Sequence, residues 1–291
     1  GCPPANHGDE GGFQMKERHL LALSGGKDSA ALAVYMREKY ADLPMEYVFI
    51  DSGCELPETY AYLDKLRAIL GIEIITIGGA SKEDRKDFKW WLKQKQYYLP
   101  SPRNRWCTEV LKLIPYSKWL QKECGDAIVY SYVGLRADEK RERTGFTKCH
   151  DKLVQNHPFV SDGLVYNDIQ ILLENSGIGF PDYYEWRSRS GCYFCFYQTK
   201  REWISLYRRY PDLFYSAAAM EKTNEKTGKR YLWNEGISLI ELIDKAEDIE
   251  CNQVDFVHGQ NKNPKLLSLL ESVNRTVESL RPCDFFKEVI E

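Results

Sequence analysis

A glycine pair between an apolar run and a helical pattern is the feature that most constrains this chain. The apolar run covers residues 20–23, the turn SGGKDS covers residues 24–29, and a helical pattern follows over residues 30–40. A strand that turns through glycines into a helix offers backbone N–H groups and the positive end of the helix dipole to an anion. The pattern therefore predicts a phosphate site, to which Lys27 adds charge and Ser24 and Ser29 add hydroxyl donors.

The rest of the front half alternates predicted strands with predicted helices. Apolar runs at residues 47–50, 72–77 and 127–133 predict strands, and the patterns at 56–70 and 107–120 predict helices between them. This order predicts an α/β fold with a parallel sheet flanked by helices. Ligands of such sheets bind beyond the carboxyl ends of the strands, where Ser24, Asp51, Gly78 and Gly134 fall.

Composition changes along the chain predict three parts. Glycine and proline are frequent at the start of residues 1–17, so we expect these residues to be a flexible arm or the remnant of a tag. We expect residues 18–150, which contain the glycine turn, to form the nucleotide-binding domain. Residues 151–291 predict a mostly helical region that bears cysteines, with helical patterns at 168–175, 203–210, 213–222, 239–247 and 266–280.

Charge and cysteine content exclude some classes of protein. The formal net charge of −3 gives no global basic field, and no apolar run approaches the length of a membrane span. With no secretory signal visible, we expect a cytoplasmic protein without membrane contact. The nine cysteines are an odd number, so metal or sulfur chemistry is favoured over a disulfide framework.

Asp51 stands at the end of the second predicted strand, in the segment FIDSGCELPET. Its carboxylate is expected in the same crevice as the glycine turn, where it would hold Mg²⁺ on the phosphates or bind a ribose. The alternative is a helix N-cap. Cys54 follows three residues later, and is either a persulfide carrier or a small residue that fills the start of a helix.

Five segments in order resemble the phosphoadenosine phosphosulfate reductase family of PP-loop proteins, the PP-loop being the turn of enzymes that split ATP to AMP and pyrophosphate. They are SGGKDS (24–29), FIDSG with ELPET (49–59), RWCT with LK and Pro (105–115), GLRADE with Arg143 (134–143), and GCYFC (191–195). Lys140 stands where the family usually has serine.

The resemblance implies an adenine nucleotide alpha hydrolase-like fold that binds ATP and Mg²⁺. The implied ATP-binding residues are Ser24, Gly25, Gly26, Lys27, Asp28, Ser29, Asp51 and Gly134. The implied catalytic residues are Lys27, Asp28, Asp51 and Arg136. Arg136 and Arg143 would clamp a phosphate, or else belong to a solvated run of alternating charges.

The same family implies a 4Fe–4S cluster, because its adenylyl-sulfate reductases ligate one with a cysteine pair and a later CxxC. This chain has Trp106 and Cys107 where that pair stands, so the implied ligands are Cys107, Cys192 and Cys195. The fourth ligand is Cys149, Cys251, Cys283 or none. Zinc binding and a redox dithiol remain alternatives for the CxxC.

Reductases of this family also carry a C-terminal ECGLH motif, whereas this chain has RPCDF at 281–285. The WCT and GCYFC forms instead resemble the ATP pyrophosphatase subunits of DNA phosphorothioation systems of the Dnd and Ssp types. That resemblance implies an antiphage role in which DNA phosphate is adenylated and receives sulfur. The implied partners are DNA, a cysteine desulfurase and other phosphorothioation subunits, and self-association stays open.

Three alternatives remain: a sulfonucleotide reductase, a tRNA thiolase, and a non-catalytic nucleotide-sensing subunit. Local support for nucleic-acid contact comes from residues 85–95 and 197–210, which interleave basic and aromatic side chains. The alternative for both segments is an amphipathic helix whose rings belong to the core.

Overall fold

The computed structural model describes residues 16–78, 86–139, 149–189, 191–223 and 228–251, without the side chain of the last residue. Its centre is a five-stranded sheet in the order β3-β2-β1-β4-β5, with every neighbouring pair parallel. The strands are β1 (Glu17–Leu23), β2 (Met45–Asp51), β3 (Ile74–Gly78), β4 (Ile128–Tyr132) and β5 (Leu153–Asn156). The predicted α/β class and its four predicted strands are confirmed.

Helices connect the strands and continue beyond them. The front helices are α1 (Lys27–Lys39), α2 (Pro57–Leu70), α3 (Phe88–Gln94), α4 (Trp106–Thr108) and α5 (Ile114–Cys124), with a π-helical turn (Glu109–Leu113) joining the last two. The back helices are α6 (Pro158–Ser161), α7 (Tyr166–Asn175), α8 (Lys200–Arg209), α9 (Pro211–Ala218), α10 (Leu239–Ile243) and α11 (Ala246–Cys251). A 3₁₀ turn (Asp182–Glu185) and the hairpin of β6 (Lys222–Thr223) with β7 (Arg230–Tyr231) complete the described chain.

The back half is mostly helical, as predicted, with two local differences. The pattern over 213–222 predicts one helix, but α9 ends at Ala218 and the chain continues into β6. The pattern over 239–247 is divided between α10 and α11. The predicted helix at 266–280 lies outside the described residues. Among the helices of the described ranges, none is both long and apolar enough to cross a bilayer.

Both faces of the sheet are covered. On one face α1, α2 and α7 bury a core that includes Leu21, Phe49 and Leu63. On the other face α5 packs over Leu20 and Val48. Residues 30–33 of α1 are three alanines and a leucine without exposed surface, and such small side chains let the helix lie close to the strands.

A third core joins the sheet to the back helices. It is rich in aromatic side chains, including Phe88 of α3, Trp106 of α4 and Trp203 of α8. Phe194 stacks into it, with its ring centroid 3.9 Å from that of Phe88. This packing fixes the segment around residue 194 against the front half of the molecule.

The strand order reverses beside β1. From β1 the chain moves outward to β2 and β3, and it later returns to the opposite side for β4 and β5. Connections leave the sheet in opposite directions at such a point, so a crevice opens at the carboxyl ends of β1 and β4. The turn between β1 and α1 lies at this crevice.

Gly25 is the residue of that turn that tolerates no side chain. Its φ is +69°, in the left-handed region, and a Cβ atom there would overlap the Cγ2 methyl of Thr59. Gly71, which ends α2, also has a left-handed φ of +58°, but no atom lies within 4 Å of the Cβ position. A comparison of substitutions at the two glycines therefore distinguishes the cost of a left-handed backbone from the cost of steric overlap.

We expect Gly25→Ala to destabilise the protein more than the matched control Gly71→Ala. Left-handed backbone costs alanine about 1–2 kcal/mol at either position. Overlap with Thr59 adds roughly 1–3 kcal/mol at position 25 alone. Urea unfolding of both variants measures the difference, and equal losses of stability would contradict the close approach of Thr59.

Candidate functional site

The glycine turn is held by its own serine side chains. The Ser29 hydroxyl lies 3.0 Å from the Gly26 carbonyl oxygen, to which it donates, and it accepts from the Ser24 backbone N–H at 3.0 Å. The two hydroxyl oxygens are also 3.0 Å apart. The sequence predicts these hydroxyls as donors to a phosphate, and the bonds that they make within the turn fix its shape.

Lys27 begins α1 and is largely shielded from solvent. Its side chain is 14% exposed, and its Nζ lies 3.4 Å from Asp28 Oδ2 and 4.9 Å from the ring centroid of Tyr184. Burial lowers the pKa of the Lys27 amine, although the Asp28 carboxylate opposes this shift. The ammonium group is thus poorly hydrated at the place where a phosphate is expected, which strengthens its attraction for an anion.

Arg136 and Asp28 meet at the same turn, as the resemblance implied. Arg136 NH1 lies 2.6 Å from Asp28 Oδ1, and its Nε lies 2.9 Å from Asp138 Oδ1. Glu139 is a further carboxylate partner at 3.1 Å. Arg136 therefore fixes the position of the Asp28 carboxylate. The predicted second clamp, Arg143, lies outside the described residues.

A cleft of 140 Å³ opens beside this charge cluster at the carboxyl ends of β1 and β4. Its lining includes Ser24, Asp28, Ser29, Lys112, Ser131 and Gly134. A Cβ atom on Gly134 would lie 2.6 Å from the Asp28 carbonyl oxygen, so glycine is required where β4 ends against α1. The structure thus brings six of the eight implied ATP-binding residues to one turn and places Gly134 against it.

Asp51, the remaining implied ATP ligand, ends β2. Its Oδ1 accepts from the Gly53 backbone N–H at 2.7 Å and from the Tyr60 hydroxyl at 2.9 Å. The residue is buried, and the N-cap of α2 is Leu56 rather than Asp51. The N-cap alternative is therefore wrong, and the carboxylate closes the turn after β2.

The CxxC segment pairs with the loop that follows β2. The Leu56 N–H donates to the Gly191 carbonyl at 2.6 Å, and the Tyr193 N–H donates to the Cys54 carbonyl at 2.9 Å. Between these bonds, Cys192 lies opposite Glu55 in an antiparallel bridge. This pairing brings a segment of the back half to the edge of the nucleotide crevice.

Four thiols share this neighbourhood. Burial raises the pKa of the Cys192 thiol well above its usual range, and Glu55, Cys54 and Cys195 raise it further. Burial also raises the pKa of Cys107, with Cys195 adding to the effect. The three implied cluster ligands are thus electrostatic neighbours, and Cys54 joins them.

The other cysteines are placed elsewhere. Cys149 packs with Cys124 in the core beneath α5, and the Ser117 hydroxyl donates to its carbonyl oxygen at 2.8 Å. It is not among the cysteines of the CxxC neighbourhood. Two other proposed fourth ligands, the side chain of Cys251 and all of Cys283, lie outside the described residues.

Arg187 is a buried cation beside the CxxC. The residue has no exposed surface, and its NH2 donates to the Cys192 carbonyl at 2.9 Å. Its Nε and NH1 atoms have no hydrogen-bond partner among the described residues, and its charge interacts with the thiols of Cys195 and Cys192. Buried donors without partners cost free energy, so this pattern favours an anionic, sulfur-rich group at this place.

Within the described ranges, no three histidine, cysteine, aspartate or glutamate side chains are placed to hold a single metal ion. A tetrahedral zinc site needs its ligands to converge on one point. An iron–sulfur cluster binds its thiolates through different irons, so its cysteines stand farther apart. The three cysteines that the resemblance implies as ligands are electrostatic neighbours, and Arg187 lies beside them.

Thr59 connects the nucleotide turn to the CxxC segment. It has no exposed surface, and Cβ atoms at either Gly25 or Gly191 would overlap it. The Tyr183 hydroxyl adds a second connection, because it donates to the Gly25 carbonyl at 2.9 Å. The nucleotide turn and the CxxC segment are therefore held against the same helical turn and do not pack independently.

Lys112 forms a third connection. It lines the nucleotide cleft, and its Nζ lies 3.1 Å from Oε1 of the buried Glu55, which also accepts from Ser52 at 2.7 Å. Sequence reasoning assigned no role to Lys112, Glu55, Thr59 or Arg187. Lys112, Glu55 and Thr59 lie within the family motifs, and this position was the only sequence feature that could have indicated a role for them. No sequence feature indicated a role for Arg187.

The two basic and aromatic segments each place one ring in the core, and their other rings are half-buried. Phe88 and Trp203 have 1% and 0% exposed surface, so these rings pack inside the molecule. On α8 the basic residues Arg208 and Arg209 are exposed, but they face acidic partners at Glu250 and Glu185. For these rings the alternative interpretation as amphipathic helices is the one that the structure supports.

Residues 18–156 match the family described as the phosphoadenosine phosphosulfate reductase domain. An uncharacterized protein of Methanocaldococcus jannaschii is 27% identical over 232 residues, which are 76% of this chain and 46% of that protein. An uncharacterized nin region protein of Escherichia phage lambda is 29% identical over 143 residues, or 42% of this chain and 49% of that protein. The chain spans about half the length of these curated relatives.

Two solved structures are similar at low identity. A phosphoadenylyl-sulfate reductase from Candida auris, in a phosphate complex, has 14% identity and a TM-score of 0.43 over 61% of this chain and 82% of that chain. The U34-tRNA thiolase NcsA from Methanococcus maripaludis, with its 4Fe–4S cluster, has 14% identity and a TM-score of 0.41 over 85% of this chain and 79% of that chain.

The depressed pKa of Lys27 predicts its chemical reactivity. Only the neutral amine reacts with acylating reagents, so Lys27 should begin to react at lower pH than Lys39. Hydrogen bonds to Tyr35 and Asp162 raise the pKa of Lys39, which makes it the matched control. Mass spectrometry of peptides acylated across a pH series gives both midpoints. A Lys27 midpoint at or above that of Lys39 would contradict the buried position of the amine.

Proposed function

We propose that this chain is an ATP pyrophosphatase that activates a nucleic-acid phosphate for sulfur incorporation, because residues 18–156 match the phosphoadenosine phosphosulfate reductase domain family. One observation carries the proposal: the nucleotide turn and the CxxC segment pack on the same side chain, Thr59. An enzyme that activates with ATP and then delivers sulfur needs both reactants within reach of one phosphate.

The first step uses the glycine turn. An oxygen of the substrate phosphate attacks the α-phosphorus of ATP, forms a bond to AMP, and releases pyrophosphate. Lys27 and the N-terminal amides of α1 neutralise the negative charge that develops on the leaving pyrophosphate. Arg136 holds Asp28 in place, and Asp28 and Asp51 are the carboxylates that would hold Mg²⁺ there.

The second step uses the thiol side of the site. Cys107, Cys192 and Cys195 would hold a 4Fe–4S cluster, which when bound supplies iron to carry sulfur. Arg187 would donate its unpartnered N–H groups to the thiolates and so offset their charge. Hydrosulfide, released when a thiol reductant supplies two electrons to persulfide sulfur, then attacks the activated phosphorus, so that the P–S bond forms as the bond to AMP breaks. The buried aromatic core around Phe194 excludes water from this side.

The substrate that the motif forms favour is the DNA backbone, as in DNA phosphorothioation. Sulfur would come from a cysteine desulfurase, and other phosphorothioation subunits would present the DNA. Measurement of pyrophosphate release distinguishes this proposal from a tRNA substrate and from a nucleotide-sensing role.

Pyrophosphate release from ATP tests the first step. We expect Lys27→Ala and Asp28→Ala to lower the rate about 10²–10³-fold, since each removes a group that stabilises the developing charge. Lys39→Ala, at the far end of α1, is the matched control and should keep the wild-type rate. The assay is run on anaerobically purified protein with DNA, tRNA or adenylyl sulfate added separately.

Each addition has a distinct outcome. Stimulation by DNA alone supports the proposal, and stimulation by tRNA alone would assign a tRNA thiolase. Consumption of adenylyl sulfate without ATP cleavage would assign a reductase. Absence of ATP cleavage under every condition would leave the nucleotide-sensing role.

Iron and acid-labile sulfide content tests the second step. We expect Cys192→Ser and Cys195→Ser to lose most of the iron and the visible absorption of the anaerobic protein, because each removes a thiolate ligand. Cys124→Ser is the matched control, since Cys124 is a buried cysteine of another core and should keep both. Retention of wild-type iron by Cys192→Ser would overturn the ligand assignment.

A further inference from the structure

A second cavity lies beside the cysteine segment and has no part in the nucleotide cleft. Its volume is 270 Å³, and its walls come from residues 98–102, residues 229–233 and Phe196. Phe196 directly follows Cys195, and the Trp106 indole N–H donates to the Tyr98 carbonyl at 3.1 Å, one residue before Cys107. The cavity therefore adjoins both Cys107 and the CxxC segment, which together are called the thiol centre here.

The cavity walls are aromatic. Tyr98 is 40% exposed, and its ring meets that of Tyr231 edge to face, with centroids 6.3 Å apart. Trp233 forms a buried wall, fixed by the hydrogen bond from its indole N–H to the Ala217 carbonyl at 2.9 Å. Exposed rings held in fixed positions are the surfaces on which nucleic-acid bases stack.

The rim of the cavity is basic. Ser101 and Asn104 exchange two backbone hydrogen bonds of 3.0 Å, which close a tight turn that carries the exposed Arg103. Arg105 follows this turn and is also exposed. On the opposite wall Lys229 lies 5.3 Å from the Tyr231 ring centroid, and Arg230 pairs with Glu241. Such cations beside stacking rings complement a phosphate backbone.

The chain before Tyr98 is strained. Gln96 and Tyr97 have φ values of 52° and 61°, and they are the only non-glycine residues with positive φ in the described part of the chain. A bulky residue in this region costs free energy, and such strain persists where the surroundings fix it, often at ligand-binding segments. Here the strained pair sets the direction in which Tyr98 leaves the core.

We propose that this cavity binds a base of single-stranded nucleic acid, with the flanking phosphates against Arg103, Arg105 and Lys229. The inference rests on the proposed function for the identity of the substrate, which it deepens by assigning a contact site. A base stacked on the exposed ring of Tyr98, against the edge of which Tyr231 lies, shares the cavity with Phe196, the residue that directly follows Cys195. The strand is thereby anchored next to the thiol centre.

Binding of fluorescent oligonucleotides tests the proposal without ATP or sulfur. We expect Tyr98→Ala combined with Tyr231→Ala to weaken single-strand binding about ten- to hundredfold, through loss of stacking. Tyr40→Ala is the matched control, since Tyr40 is 43% exposed at the end of α1. Tyr98→Phe keeps the ring and should keep the wild-type affinity, which separates stacking from misfolding.

The salt dependence gives a second readout. Arg103→Gln should reduce the slope of log affinity against log salt by about one, as expected for one lost phosphate contact. Single-stranded DNA and single-stranded RNA of the same sequence are measured separately. The nucleic acid that binds with the higher affinity is the one that the cavity recognises. Duplex DNA should bind more weakly than either strand alone, because its bases are already stacked.

Failure of this proposal is distinguishable from failure of the proposed function. If the double tyrosine variant binds as tightly as Tyr40→Ala while nucleic acid still stimulates pyrophosphate release, the cavity assignment is overturned and the function stands. If wild type binds oligonucleotides through the tyrosines but never cleaves ATP, the cavity stands and the function fails. If wild type binds no oligonucleotide, the cavity assignment is overturned, and the pyrophosphate assay with added nucleic acid decides the function separately.

Discussion

The packing of Thr59 between two glycines is the contact on which the arrangement of the site depends. Thr59 lies in the first turn of α2, which begins at Pro57. Gly25 of the nucleotide turn and Gly191 of the CxxC segment approach it so closely that neither position has room for a methyl group. Because one helical turn fixes both segments, the distance between the phosphate site and the thiols is set by the core. A loop contact would leave that distance variable.

Charged side chains follow the path from the nucleotide turn to the CxxC segment. Lys27, Asp28 and Arg136 form a linked cluster at the nucleotide turn, and Glu55 with Lys112 forms a pair between the cleft and Cys192. Arg187 ends the series as a buried cation, and two of its donor atoms have no hydrogen-bond partner among the described residues. Glu202 and the thiols of Cys195 and Cys192 interact with its charge. Buried donors without partners cost free energy, so this place favours an anionic ligand.

The sequence predicts the sheet well because its strands are continuous apolar runs, typical of a parallel sheet buried on both faces. It does not predict β5, whose four residues, LVQN, form a short edge strand with only two apolar side chains. The nucleotide turn, Asp28 and Arg136 are brought together as the motifs imply. The bonds that Ser24 and Ser29 make within the turn were not predicted, because a hydroxyl can bond its own turn as readily as a ligand. The nearness of Cys54 to the CxxC segment and the place of Arg187 escaped prediction because they depend on pairing between residues 54–56 and 191–193, far apart in sequence.

The affinity of Gly191→Ala for ATP tests most directly whether the two parts form one site. Gly191 is not among the residues that line the nucleotide cleft, and its Cβ would lie 2.9 Å from Glu55 Oε2 and overlap Thr59. If the parts are coupled through Thr59, displacement of this side chain disturbs Gly25, and calorimetry of the folded variant should show ATP affinity lowered at least about tenfold, or about 1.4 kcal/mol. A folded Gly191→Ala protein that binds ATP with wild-type affinity would contradict the coupling.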